Sequence, residues 1–173
     1  GLAGMVNETA DRVIMKYLLP ADVADSEIGI YGACYKLAVL ITLFIPCFVD
    51  LISPQAGISI VSILEKLGHE IDYPEELGCC GQPPFNAGYW DEARDAARPV
   101  LKRLRNSEAV VIASGSCGAM LKVFYKELFH GQPEEAEAKA LSDKCWEFSD
   151  FLVNKLGVTD LGAEFPHKVT YHD

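Results

Sequence analysis

The stretch GCCGQPPFNAGY, Gly78 to Tyr89, sets two adjacent cysteines, Cys79 and Cys80, between glycines and ahead of a proline pair. Thiolates are nucleophiles, redox groups and soft metal ligands, so chemistry is to be sought here first. Two more cysteines have similar turn-forming neighbours: Cys47 follows Pro46, and Cys117 sits in SGSCGAM. Zinc sites usually draw their cysteines in CxxC pairs, and the sequence contains none. Adjacent cysteines point apart and chelate one small ion poorly. They can instead hold different corners of a larger body, and an iron–sulfur cluster held by thiolates is such a body. Gly78 and Gly81 allow a tight turn and close backbone approach, and Pro83 and Pro84 stiffen the exit. Two alternatives stand beside the cluster: a structural zinc domain, and a metal-free thiol couple at Cys79–Cys80, which would close a strained ring.

The elements that must position these thiols are read from periodicity. Residues 7–19 carry apolar side chains at Ala10, Val13, Ile14, Tyr17 and Leu18, one face of a helix that Pro20 closes. Residues 21–36 read as an irregular connection. Leu37 to Ile45 is a continuous apolar run, as in a strand buried on both faces. A helix follows over 53–68, with Ser53 as N-cap, Pro54 at its first position and Gly68 at its stop. Residues 69–73 form a short second strand, 88–105 a helix that Pro99 should kink, and 108–114 a third buried strand. Helices over 118–129 and 134–156 come next, and a fourth strand begins at 168–172. Alternating strands and helices predict an α/β fold: an open parallel sheet with helices on both faces in Rossmann-like βαβ order.

On this topology Cys47, Cys79, Cys80 and Cys117 all lie just past C-terminal strand ends. Parallel strands send those ends to one edge, where ligands bind. Four thiols therefore converge on one rim, and the helix N-termini beyond each loop direct partial positive charge at them. Cys34 and Cys145 read as small core hydrophobes, Cys145 being in step with Leu141, Phe148 and Leu152 on a helix face. Gln82, Asn86, Ser114 and Ser116 occupy rim loops, as hydrogen-bond donors to sulfur or as plain turn and cap residues. Asn86 would in that case start a helix. His69 and His130 read as structural and His167 as solvated. His172, at the end of the fourth strand, is a weaker ligand candidate. The run EEAEAK is a solvated helix face.

Composition narrows the classes. Among 173 residues half are hydrophobic and 23% charged, which suits a folded core and not a disordered chain. A formal charge of −10 argues against nucleic acid, whose phosphates call for a Lys and Arg excess. The longest apolar run, Leu37 to Val49, falls short of the ~20 residues of a membrane-spanning helix. No export signal opens the sequence, so six cysteines suggest metal or redox ligands in the cytoplasm before a disulfide framework.

The stretches FIPCFVD, LEKLGHEIDYPEELGCCGQPPFNAGYWDEA, SGSCGAM, FLVNKLGV and VTYHD resemble the cysteine-rich CCG domain proteins, above all the iron–sulfur oxidoreductase subunits of lactate utilisation. The same motif occurs in the heterodisulfide reductase B subunit and in anaerobic glycerol-3-phosphate and glycolate dehydrogenase subunits. The likeness covers residues 36–173 and leaves 1–35 as a helical extension of no assigned role. It implies a 4Fe–4S cluster on Cys47, Cys79, Cys80 and Cys117. It also implies an electron-transfer subunit of a cytoplasmic complex that oxidises L-lactate to pyruvate with sister iron–sulfur subunits. The general motif ends in CxxC, whereas Met120 stands in that place here, so a fifth thiolate is missing. The family usually repeats the motif, and its second copy begins just after YHD. Residues 36–173 then correspond to a first CCG domain, and the second half is expected as a partner.

Overall fold

In a computed structural model, residues 40–74 and 76–170 are described. The expected helix over 7–19, Cys34 and His172 lie outside them. Four strands, β1 (Ile41–Phe44), β2 (Ile71–Asp72), β3 (Ala109–Ile112) and β4 (Cys145–Glu147), form one sheet in the order β2-β1-β3-β4. Every pairing is parallel: Ile41 to Phe44 run opposite Ala109 to Ile112, Ile41 and Thr42 opposite Ile71 and Asp72, and Val110 to Ile112 opposite Cys145 to Glu147. A parallel pair cannot be closed by a hairpin, so each connection carries helices. Between β1 and β2 these are α1 (Cys47–Ile52) and α2 (Pro54–Lys66). Between β2 and β3 they are α3 (Gln82–Asn86) and α4 (Trp90–Leu104).

β1 and β3 are buried at all four positions, and the two-residue period of a strand divides their side chains between two cores. Ile41, Leu43, Ala109 and Val111 pack with Ile60 and Leu64 of α2 and with Phe151 and Leu152. Phe44, Val110 and Ile112 face the other way, onto Ala93, Ala97, Val100, Leu101 and Leu104 of α4 and onto Met120, Leu121, Tyr125 and Leu128. Helices thus cover both faces, as continuous apolar strands require. The strand order also contains a reversal. From β1 the chain winds outward to β2, then crosses back to β3 on the other side of β1. The crevice between the C-terminal ends of β1 and β3 is therefore the topological switch point, where open α/β sheets bind ligands.

The segment after β3 is helical from Gly115 to Leu128: α5 (Gly115–Ala119), a π-helical turn (Met120–Phe124) and α6 (Tyr125–Leu128). The helix begins three residues before its expected start at 118. α4 runs from 90 to 104 through Pro99. Ser53 and Pro54 open α2 as expected, although the Ser53 hydroxyl makes no capping bond.

One expected helix is broken. In place of a continuous helix over 134–156, α7 (Glu135–Lys144) ends, the chain becomes extended through β4, and helix resumes with α8 (Phe148–Asp150) and a second π-helical turn (Phe151–Lys155). The four residues expected on one helical stripe face opposite sides of the sheet. Leu141 and Cys145 belong to one core, Phe148 and Leu152 to the other. Pairing with β3 supplies the competing interaction, and the Glu147 carboxylate then accepts the Ser149 and Asp150 N–H groups to restart the helix. β4 is thus the fourth strand, and residues 168–170, where a strand was expected to begin, are exposed and outside any strand.

Leu64 is fully buried beneath β1. Leu64→Ala is expected to cost about 2–5 kcal/mol of folding stability, read as a lower denaturant midpoint at unchanged slope.

Candidate functional site

The cysteine doublet lies on a turn locked from two sides. Gly81 caps α3 with φ +85°, and a Cβ on it would stand 2.7 Å from the Ala93 carbonyl oxygen. Only glycine tolerates both the positive φ and the close approach to α4. From the core side, the hydroxyl of the fully buried Tyr125 donates to the Cys80 carbonyl at 3.1 Å. That bond satisfies two polar groups that would otherwise be buried without partners. Phe85 of α3 stacks on Trp90 and packs on Phe124, with ring centroids 5.3 Å apart in both cases. α3 is thereby pinned to α4 and to the first π-helical turn.

Cys117 approaches from the β3 side. The β1–β3 pairing is carried to the rim by Ala113 N–H donating to the Phe44 carbonyl at 3.1 Å. Ser114 is extended, and α5 begins at Gly115. Gly118 lies against Glu147 of β4, where a Cβ would meet the Glu147 Cβ at 3.4 Å. Across the crevice, Gln82 Nε2 donates to the Ser116 carbonyl at 3.0 Å, tying the doublet turn directly to the Cys117 turn. Between these ties the Cys80 and Cys117 Sγ atoms stand 3.2 Å apart, both buried and both free.

The two thiols share a proton. The Cys80 S–H bond to Cys117 pulls the Cys117 pKa down to about 7 against the opposing effect of burial, with help from the Ser114 and Ser116 hydroxyls. The same bond, then burial and the Cys117 charge, drive the Cys80 pKa far up. The pair therefore loses its first proton more easily than an isolated thiol and its second with great difficulty. Cys79 is half-buried, and its sulfur accepts the Gly81 N–H at 3.4 Å. Cys47 is exposed at the head of α1. Its pKa is raised by partial desolvation, then by the charge of Cys79 and a hydrogen bond with it, and least by Cys117, so Cys47 touches Cys79 and stands within electrostatic reach of Cys117.

The crevice thus gathers Cys79, Cys80 and Cys117, with Cys47 on its outer lip. Among the described residues, no group of three or more His, Cys, Asp or Glu side chains is collected around a point in the manner of a single bound ion. As a donor set the four thiols suit an iron–sulfur centre: soft ligands only, supplied by three separate turns at a ligand-binding edge. Cys145 is elsewhere, fully buried in the core, with its thiol pKa pushed up to about 12 by desolvation.

The Gln82 side chain donates to the opposite turn while its backbone N–H donates to the Cys80 sulfur, and the Ser114 and Ser116 hydroxyls lie 3.2 Å apart beside Cys117. Asn86 closes α3 and does not start a helix. His69 packs edge-on against Phe151, His130 lies 3.2 Å from the Glu135 carboxylate, and His167 is exposed against Phe165. Tyr125 is the residue that sequence reasoning missed. Its place on the buried face of the helix after Cys117 signals burial, and a buried tyrosine hydroxyl needs a partner, but nothing in the sequence names that partner as Cys80.

Residues 41–122 match the family model described as "Cysteine-rich domain", CCG. The chain is 46% identical over 133 residues to Lactate utilization protein A of Geobacillus thermodenitrificans, covering 76% of this chain and 55% of that protein. It is 46% identical to the protein of that name in Oceanobacillus iheyensis, over 76% of this chain and 54% of the relative. It is 43% identical to Lactate utilization protein A 2 of Bacillus cereus, over 76% and 55%. The chain thus spans about half the length of the curated relatives it matches. No solved structure matches.

In reduced, metal-free protein, ultraviolet thiolate absorbance should show an ionisation with midpoint about 7. Because Cys117 is lowered, the thiolate is present above that pH and is protonated below it. The step should vanish in Cys117→Ser. A wild-type curve with no ionisation below the ordinary thiol range, about 8.5, would contradict the proton-sharing pair.

Proposed function

Because this chain carries a CCG cysteine-rich domain over residues 41–122, we propose that it binds an iron–sulfur cluster and serves as an electron-transfer component of an oxidoreductase that oxidises L-lactate to pyruvate. The observation that carries the reading is the meeting of thiols from three turns at the β1–β3 switch crevice, with Cys80 and Cys117 in direct contact. The relatives' shared name supplies the substrate. Cys47, Cys79, Cys80 and Cys117 are the ligands, and the bound 4Fe–4S group supplies one-electron transfer.

The chain's own residues do the positioning. The Gln82–Ser116 bond and the Tyr125–Cys80 bond hold the two turns in fixed register, so little order remains to be imposed when ligands bind. Ser114 and Ser116 offer hydroxyls to Cys117, which tunes its electron density from outside the ligand set. Phe85 and Phe124 pack against the core cluster that contains Cys80. Oxidation of a hydroxy acid to a keto acid releases two electrons and two protons, so a one-electron carrier needs partners. Sister iron–sulfur subunits in a cytoplasmic complex, together with a second CCG half, fill that role. Among the described residues no helix is long and apolar enough to cross a membrane.

Anaerobic purification followed by iron and acid-labile sulfide analysis, with electron paramagnetic resonance on the same sample, tests the reading. Iron and sulfide are expected in equal amounts, with loss of the signal in Cys47→Ser, Cys79→Ser, Cys80→Ser and Cys117→Ser and retention in Cys145→Ala. Protein that takes up neither element after reconstitution, or that holds one zinc and no sulfide, would overturn it.

A further inference from the structure

The contact between Cys80 and Cys117 has a use when no metal is bound. We propose that in the metal-free protein Cys80 and Cys117 close into a reversible disulfide that locks the crevice against cluster loading until it is reduced. The consequence for loading rests on the cluster reading above; the crosslink itself does not.

Geometry selects this pair. The sulfurs stand 3.2 Å apart and must approach by about 1 Å to reach the bonded distance of about 2.05 Å. The turns that bear them are already tied together by Gln82 and Ser116, and Tyr125 fixes the Cys80 peptide, so the partners meet without a search. The vicinal pairing and any pairing with Cys145 are less favoured. A Cys79–Cys80 bond would strain its short ring, and the Cys79 sulfur is held by the Gly81 N–H. Cys145 lies fully buried at the start of β4, with its carbonyl accepting from Lys122.

The oxidant is a small dialkyl disulfide of the glutathione class. The Cys117 thiolate, 7% exposed against 2% for Cys80, attacks one sulfur of the oxidant and releases its other half as thiolate. The Cys80 thiol gives its proton to that leaving thiolate. Its sulfur then attacks Cys117 Sγ and expels the second half as a thiolate, which takes up from solvent the proton that Cys117 released on ionising. Two cysteine thiols are oxidised to one disulfide and the oxidant is reduced to two thiols, so electrons and protons balance. Two of the four proposed ligands are then tied up, and a reductant of the dithiol class restores them.

The experiment treats anaerobically prepared, metal-free protein with oxidised glutathione, then measures intact mass and maps linked peptides. A product lighter by two hydrogens, joined at Cys80 and Cys117, is expected. It should persist in Cys79→Ser and be replaced in Cys117→Ser by a glutathione adduct or by unreacted thiol. A wild-type product carrying only glutathione adducts, or joined at Cys79–Cys80 or Cys47–Cys79, would overturn the proposal. Should a variant fail to fold, the wild-type peptide map decides alone. Iron and sulfide uptake is then compared before and after dithiothreitol: loss in the oxidised form and recovery on reduction support the lock, and equal uptake overturns it. A crosslink that forms in protein taking up no iron even when reduced refutes the cluster reading and leaves the crosslink standing. Normal uptake with no crosslink does the reverse.

Discussion

Parallel pairing of β1 with β3 over four consecutive residues is the constraint from which the site follows. It sends both strands out of the sheet on the same edge, and the Ala113–Phe44 bond keeps them side by side as they leave. With β2 on the far side of β1, the chain must leave that edge in opposite directions, which opens a crevice between two turns. Cys47 heads the helix after β1, Cys117 lies in the helix after β3, and the doublet reaches the same place from β2. Thiols far apart in sequence become neighbours because the sheet allows their turns no other destination.

The crevice is also held in a chemically poised state. Two buried thiols in contact cannot both ionise readily, and the braces around them prevent escape by separation. Metal ligation by thiolate releases protons, so the sharing that eases the first deprotonation opposes the second. A soft, multiply charged centre offsets that opposition, and oxidation to a disulfide removes both protons outright. On the two proposals made above, ligation and oxidation are competing outcomes of one arrangement, with Cys80 and Cys117 common to both.

Much of this was legible in the residues. The apolar runs before Cys47 and before Cys117 read as strands buried on both faces, and β1 and β3 are so. The order of strands and helices placed all four cysteines at one rim, and glycines around the doublet announced a turn that Gly81 makes by its positive φ. Three features were not legible. β4 hides in a helical pattern because Leu141, Cys145, Phe148 and Leu152 recur at helical spacing while packing on opposite faces of the sheet. Periodicity reports burial, and it cannot say against which layer. The contact of Cys80 with Cys117, and not of Cys79, depends on how loops of unequal length meet across the crevice. The role of Tyr125 depends on the same meeting. Spacing along the sequence does not encode either.

The central claim is that Cys47, Cys79, Cys80 and Cys117 attach to one common centre. Site-by-site alkylation of the reconstituted protein, quantified by mass spectrometry before and after the metal is stripped under reducing conditions, tests it most directly. All four cysteines should be protected together in the loaded protein and become reactive together on stripping, with Cys145 unchanged. A loaded protein in which Cys47 or Cys79 alkylates as readily as in the stripped form would contradict the account.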